Sequence, residues 1–116
     1  MTNERGWIKI TPIENIPPRE GRPVRVGDVE IAIFNLNGRF HTIENTCPHK
    51  GGPLCDGMVT GTAVVCPLHG RHFDLVSGLP VRAQEPSCLT VFPTKVEDGI
   101  IFVDLDGGYK AFEDAA

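Results

Sequence analysis

Two short segments of the chain repeat one arrangement of side chains: Cys47-Pro48-His49-Lys50-Gly51 and Cys66-Pro67-Leu68-His69-Gly70. Each offers one thiol and one imidazole, and the sixteen residues 50–65 separate His49 from Cys66. A structural zinc ribbon more often takes two cysteines from one loop and two ligands from another. One Cys and one His per loop instead lets two thiolates hold one iron and two imidazoles hold a second, an asymmetric ligation of a [2Fe–2S] centre. A Cys₂His₂ zinc site is the competing reading, and colour separates the two: an iron–sulfur centre is red-brown and zinc is colourless.

The residues beside the four candidates suit a metal loop. Pro48 and Pro67 stiffen each segment just after its thiol. Gly51, Gly52 and Gly70 permit positive φ and close backbone approach, so that amide N–H groups can point at sulfur. Such hydrogen bonds are a main lever on redox potential. Cys47 and Cys66 bind as thiolates, a state the metal itself enforces. Cys55 and Cys88 are surplus to the ligand set and read as small buried or half-exposed thiols rather than a redox pair. His41 reads as a surface or hydrogen-bonded strand residue, His72 as an ordinary strand residue, and Trp7 as a core anchor. Lys50 and Arg71 are solvating charges beside the ligands.

The elements that must position these loops are strands. Thirteen Gly and ten Pro punctuate short apolar runs rich in Val, Ile and Phe, the pattern of many brief strands. Strands are predicted at Trp7–Ile10, Pro23–Val26, 29–33 and 39–44, with a loop at Ile16–Gly21. Further strands are predicted ending at Val64-Val65, at Arg71–Leu75, and on either side of Asp98-Gly99. Val29, Ile31 and Ile33 fall on one face by period-two alternation. Asn37-Gly38 and Asp98-Gly99 are hairpin signals, because a type I′ turn needs positive φ at both central residues. A Gly27-Asp28 turn and a Ser77-Gly78 turn are also expected. The tail from Asp106 reads as loosely attached. No helical periodicity is sustained anywhere. The prediction is an all-β fold: an antiparallel sandwich or barrel-like base (6–44 and 79–105) with a small inserted metal-binding lobe at about 45–78, forming one domain over 1–116.

Bulk properties agree. At 116 residues the chain suits a single ordinary domain. A net charge of −4 argues against nucleic-acid binding, which needs a basic face. No apolar stretch approaches a membrane span, and no secretory leader is visible. The expectation is a cytoplasmic protein whose thiols stay reduced, and the absence of any G-x-G-x-x-G run leaves it without a nucleotide-binding fingerprint.

Cys-x-His followed after sixteen residues by Cys-x-x-His resembles the Rieske iron–sulfur family, and the likeness extends over the flanking strands from about Trp7 to Leu105. The resemblance implies that Cys47, His49, Cys66 and His69 bind a Rieske [2Fe–2S] cluster. Within the family, Cys47-Pro-His-Lys-Gly-Gly-Pro-Leu54 and Val65-Cys-Pro-Leu-His-Gly-Arg-His-Phe-Asp-Leu75 resemble the small subunit of NAD(P)H-dependent nitrite reductase. That implies electron transfer alongside a large flavin- and sirohaem-bearing subunit that reduces nitrite to ammonium. The alternative is a free Rieske ferredoxin, serving a ferredoxin reductase and an aromatic-ring-hydroxylating dioxygenase. Rieske proteins of cytochrome bc complexes carry an extra cysteine in each loop, joined as a disulfide, and place a Ser and a Tyr after the second loop. The corresponding positions here look like Gly52 and Leu68, and Arg71 and Phe73. Losing those hydroxyls implies a potential near the low end of the Rieske range.

Overall fold

Strand β3 (Val29–Leu36) is buried along its last six residues, which sets the architecture. The alternation in the sequence predicts one buried face carrying Val29, Ile31 and Ile33. The computed structural model, which describes residues 6–46, 53–67, 72–81 and 89–108, differs in two ways. Val29 is 40% exposed at the strand's start, and from Ile31 onward both faces are covered. Ile31 and Ile33 join a buried cluster with Ile16, Phe92, Ile101 and Val103. Ala32, Phe34 and Leu36 join another, with Leu54, Val64, Cys66, Phe73 and Leu75. A strand that is apolar on both faces must lie between two layers.

Around it the described residues form three antiparallel sheets. The central one has the order β2 (Gly21–Val26), β3, β4 (Arg39–Glu44), β8 (Val91–Phe92). One outer sheet orders β1 (Trp7–Pro12), β10 (Ile100–Asp104), β9 (Thr94–Glu97). The other orders β5 (Met58–Thr60), β6 (Ala63–Val65), β7 (His72–Asp74). Alternation along β8 keeps both layers attached to the centre: Phe92 belongs to the cluster with Ile101, and Val91 to the cluster with Val64. The all-β expectation, with a base of stacked antiparallel sheets, therefore stands.

The two hairpin signals behave as their chemistry requires. Asn37 and Gly38 have φ of 57° and 100°, and Asp98 and Gly99 have φ of 53° and 77°, the paired left-handed conformations of a type I′ turn. The strand expected to end at Val65 is one arm of a further hairpin. Thr60 pairs with Ala63 across Gly61-Thr62, and β5 is only three residues long, too short for alternation to announce it. The tail is held further than expected, because the Asp104 carboxylate accepts from the amides of Asp106 and Gly107.

One buried polar residue fastens the base. Asn35 is 6% exposed and uses all its polar groups. Its amide donates to Glu20 O (3.1 Å) and its carbonyl accepts from Arg19 N (2.7 Å). Its Nδ2 donates to Ile16 O at 2.8 Å, and its Oδ1 accepts from Gly38 N at 2.7 Å. Replacing Asn35 with Ala leaves the buried Ile16 carbonyl unpaired, so a loss of roughly 1–3 kcal/mol is expected in urea denaturation.

Candidate metal centre

The second Cys/His segment is held between two paired strands. Val65 of β6 lies opposite His72 of β7, so residues 66–71 make the connection between neighbouring strands. Cys66 is the first residue past β6 and is 1% exposed. It is a free thiol. It sits in the buried cluster with Leu54, Val64 and Phe73, so its position is set by apolar packing as well as by the ladder.

The first segment is closed at its base. Thr46 and Pro53 form an isolated antiparallel bridge, and Leu54 N donates to Asn45 O at 3.1 Å just below it. Leu54 shares its buried cluster with Cys66 and Phe73. The bases of the two segments are thus joined through one apolar core.

Of the four predicted ligands, Cys66 lies among the described residues. Cys47, His49 and His69 lie outside them, as do Lys50, Gly51, Gly52, Leu68, Gly70, Arg71 and Cys88. The donor set nonetheless has the chemistry of the expected group. The structure places Cys66 as an unpaired thiol at the inner end of the segment that supplies His69. The bridge below the other segment brings its two ends together. Two thiols and two imidazoles on two such connections match the two-plus-two ligation of a Rieske centre.

The surrounding residues take distinct places. Phe73 is fully buried, so a side chain with no hydroxyl fills that position beneath the second segment. His72 is exposed and shares the outward face of its sheet with its cross-strand partner Val65 and with Met58, as an ordinary strand residue does. Trp7 departs from its reading as a core anchor. It is half-buried in the outer sheet on the far side of β3, with Lys95 Nζ 4.7 Å from its ring centroid. A cation over the ring replaces burial there. Cys55 is half-buried, with its Sγ 3.7 Å from Asp56 Oδ1. Burial pushes its thiol pKa up, against the lowering effect of Asn45, so it stays a thiol at neutral pH.

Asp74 is a residue that periodicity did not single out. Its Oδ2 accepts from Thr62 Oγ1 (2.8 Å), and its Oδ1 accepts from Val76 N (2.8 Å) and Ser77 N (3.0 Å). It therefore ties the β5–β6 turn to the turn after β7. Burial alone would raise its pKa, but hydrogen bonds from Ser77, Thr62 and Val76 outweigh this and hold the carboxyl below its ordinary value. His41, opposite Phe34 in the neighbouring sheet, is shifted down by burial, partly offset by the Asp74 charge and reinforced by Arg39.

Both shifts make the fold acid-sensitive. A depressed pKa means that the unfolded chain binds more protons, so stability falls with falling pH. His41 contributes as pH drops below its ordinary 6.5, and Asp74 as pH drops below 3.8. Urea midpoints measured from pH 8 to pH 3 are expected to decline in both windows. His41→Gln is expected to flatten the upper one.

Comparison with known proteins agrees with this geometry. The model of the Rieske [2Fe–2S] domain matches residues 6–93. The 3-phenylpropionate/cinnamic acid dioxygenase ferredoxin subunit of Escherichia coli (strain K12) is 35% identical over 99 residues, covering 84% of this chain and 92% of its own length. The fold also matches the ferredoxin fold in a complex of reduced oxygenase and oxidized ferredoxin of carbazole 1,9a-dioxygenase. That match has a TM-score of 0.78 and 29% identity, and covers 87% of this chain and 94% of the other. A putative NADH-dependent nitrite reductase small subunit from Mycobacterium tuberculosis shares the fold at a TM-score of 0.75 and 24% identity, covering 84% and 92%. Matched over residues 6–93, the chain belongs to the Rieske [2Fe–2S] family and is an electron-transfer domain with a Rieske-type cluster.

Proposed function

We propose that this chain is the electron-transfer subunit of an NAD(P)H-dependent nitrite reductase, a cytoplasmic system that converts nitrite to ammonium. In this reading Cys47 and Cys66 hold one iron, and His49 and His69 hold the other. The bound cluster supplies a one-electron centre. The chain's own residues hold it and set its surroundings. A lobe at about 45–78 carries it on a base formed by 6–44 and 79–105. The partner is a large subunit bearing flavin and sirohaem. The free thiol of Cys55 suits a reducing compartment. Among the described residues, no helix is long and apolar enough to cross a membrane.

The observation that carries this reading is the pair of segments 47–54 and 65–75, whose residues resemble those of nitrite reductase small subunits. They flank the ligands, where a partner must approach for electron transfer. Identity spread along the strands speaks to the scaffold instead. The second reading, a ferredoxin delivering electrons to a ring-hydroxylating dioxygenase, is favoured by the 35% identical relative, itself a dioxygenase ferredoxin subunit.

The test is reconstitution. A sirohaem-bearing large subunit, NAD(P)H and nitrite are expected to yield ammonium only when this chain is present. Full activity without it, together with product formation when it is paired with a ferredoxin reductase and a ring-hydroxylating oxygenase, establishes the second reading.

The potential is expected at the low end of the Rieske range, on the order of −150 mV rather than +300 mV. Phe73 is fully buried and cannot donate a hydrogen bond. A potentiometric titration giving a clearly positive midpoint near neutral pH contradicts this.

A further inference from the structure

The end of β4 runs directly toward the first ligand segment, and the three residues there each grip a different part of the chain. Glu44 holds the strand entering β8: its amide donates to Thr90 O at 3.1 Å, and its Oε2 accepts from Thr90 N at 2.7 Å. Thr46 bridges to Pro53. Between them, Asn45 is 4% exposed and has all its polar groups engaged. Its amide donates to Glu30 O at 3.1 Å, and its carbonyl accepts from Leu54 N at 3.1 Å. Its Nδ2 donates to Glu30 Oε2 at 3.3 Å, and its Oδ1 accepts from Cys55 N at 2.7 Å.

The consequence is geometric. One side of Asn45 is anchored to the start of β3 in the base, through Glu30. Its other side holds two successive amides, Leu54 and Cys55, at the far end of the first ligand segment. The segment leaves the base at Thr46, next to Asn45, and returns at Pro53, next to the two amides that Asn45 holds, so both its ends are referred to one buried residue. Leu54, fully buried, continues into the apolar cluster that contains Cys66. Any shift of Asn45 therefore moves the first segment relative to the second.

We infer that Asn45 is a positioning residue for the cluster: it sets the placement of the segment bearing Cys47 and His49 against the segment bearing Cys66 and His69. The inference rests on the ligand assignment proposed above. Asn45 touches no ligand side chain in the described residues; its side chain acts through the Cys55 amide, beside the Leu54 amide that its backbone carbonyl holds. A small change in ligand placement alters the cluster's electronic surroundings before it alters the fold, since supporting contacts tune a centre as well as retain it.

The experiment compares holo-proteins carrying Asn45→Ala, Asn45→Asp combined with Glu30→Gln, Asn45→Gln and Asn35→Ala. The readouts are the EPR g-values of the dithionite-reduced protein, the midpoint potential, and the rate of iron loss to a chelator, alongside the thermal midpoint. Asn45→Ala is expected to shift the g-values and potential and to release iron about tenfold faster. Asn45→Asp keeps an oxygen opposite the Cys55 amide but sets a second carboxylate against Glu30 Oε2, so it is combined with Glu30→Gln, which restores a donor across that contact; the g-values of this double variant are expected to return to those of the parent. Asn45→Gln keeps both groups but displaces them by one methylene. It is expected to fold and to shift the g-values, which preserves the test should the alanine variant fail to fold. Asn35→Ala removes an equally engaged asparagine whose partners are Ile16, Arg19, Glu20 and Gly38. It is expected to lower the thermal midpoint with parental g-values.

Parental g-values and iron-release rates in both Asn45→Ala and Asn45→Gln overturn the inference. So does an equal acceleration in Asn35→Ala, which marks a general stability effect. A parent protein that shows no Rieske signal when reduced overturns the ligand assignment itself, and with it the inference.

Discussion

Cys66→Ser is expected to give a folded chain without the red-brown colour, the reduced-state EPR signal or stoichiometric iron and sulfide. A thiolate is a soft ligand available near neutral pH, whereas a serine hydroxyl is neither soft nor readily ionised. The position adds a second effect. Cys66 is 1% exposed in an apolar cluster, and a buried hydroxyl without a compensating partner costs about 1–3 kcal/mol. The cluster of Ile31, Ile33, Ile101 and Val103 lies on the other side of β3, so the outer layer keeps its packing. Far-UV circular dichroism should retain the strand signal while visible absorbance is lost. Cys55→Ser is the matched control. That thiol is half-buried, is held protonated by burial, and lies beside Asp56, so its loss should leave the visible spectrum unchanged. Parental iron and sulfide in Cys66→Ser refutes the ligand assignment, and loss of colour in Cys55→Ser refutes the choice between the two cysteines.

Gly57→Ala is expected to be strongly damaging for a single added methyl. Gly57 has φ of −76° and ψ of 160°, a backbone conformation open to every residue. The constraint is space. A Cβ there would lie 2.3 Å from Val65 O and 2.8 Å from Val64 Cγ2. Backbone on one side and a fully buried side chain on the other leave no flexible tip to swing away. The displaced carbonyl belongs to the residue immediately before Cys66, so the strain reaches that thiol. A loss of roughly 2–3 kcal/mol is expected, together with faster release of iron. Thermal denaturation and chelator kinetics check it. A variant with the parental melting temperature would show that β6 can shift away from Gly57 at no cost.

These two positions show how unevenly the molecule is legible in its sequence. Cys66 stands out at once, because a thiol three residues from an imidazole, echoed by a similar pair upstream, has a chemical meaning that survives without coordinates. Gly57 is one of thirteen glycines, and nothing local separates it from those that merely turn the chain. Asn37-Gly38 and Asp98-Gly99 were readable because the left-handed turn is a property of two adjacent residues. Strand β3 misled by its alternation: Val29, Ile31 and Ile33 share one face, but Ala32, Phe34 and Leu36 on the other face are buried as well, against a different layer. Trp7, large and aromatic, suggested a core anchor, and its position under Lys95 depends on a strand that lies far along the chain.

Asn45 marks the boundary most clearly. An asparagine ordinarily bonds to backbone within a few residues, and here its side-chain partners are Glu30 and Cys55. No spacing rule reaches across those separations. The sequence by itself determined the donor chemistry, the family resemblance, the turns and the all-β class, because each depends on residue type or near-neighbour pattern. Only the tertiary structure decided which face of β3 meets which layer, why Gly57 has no room, and how Asn45 joins the start of β3 to the Leu54 and Cys55 amides. Those are contacts between segments remote in the chain, created by the packing of three sheets.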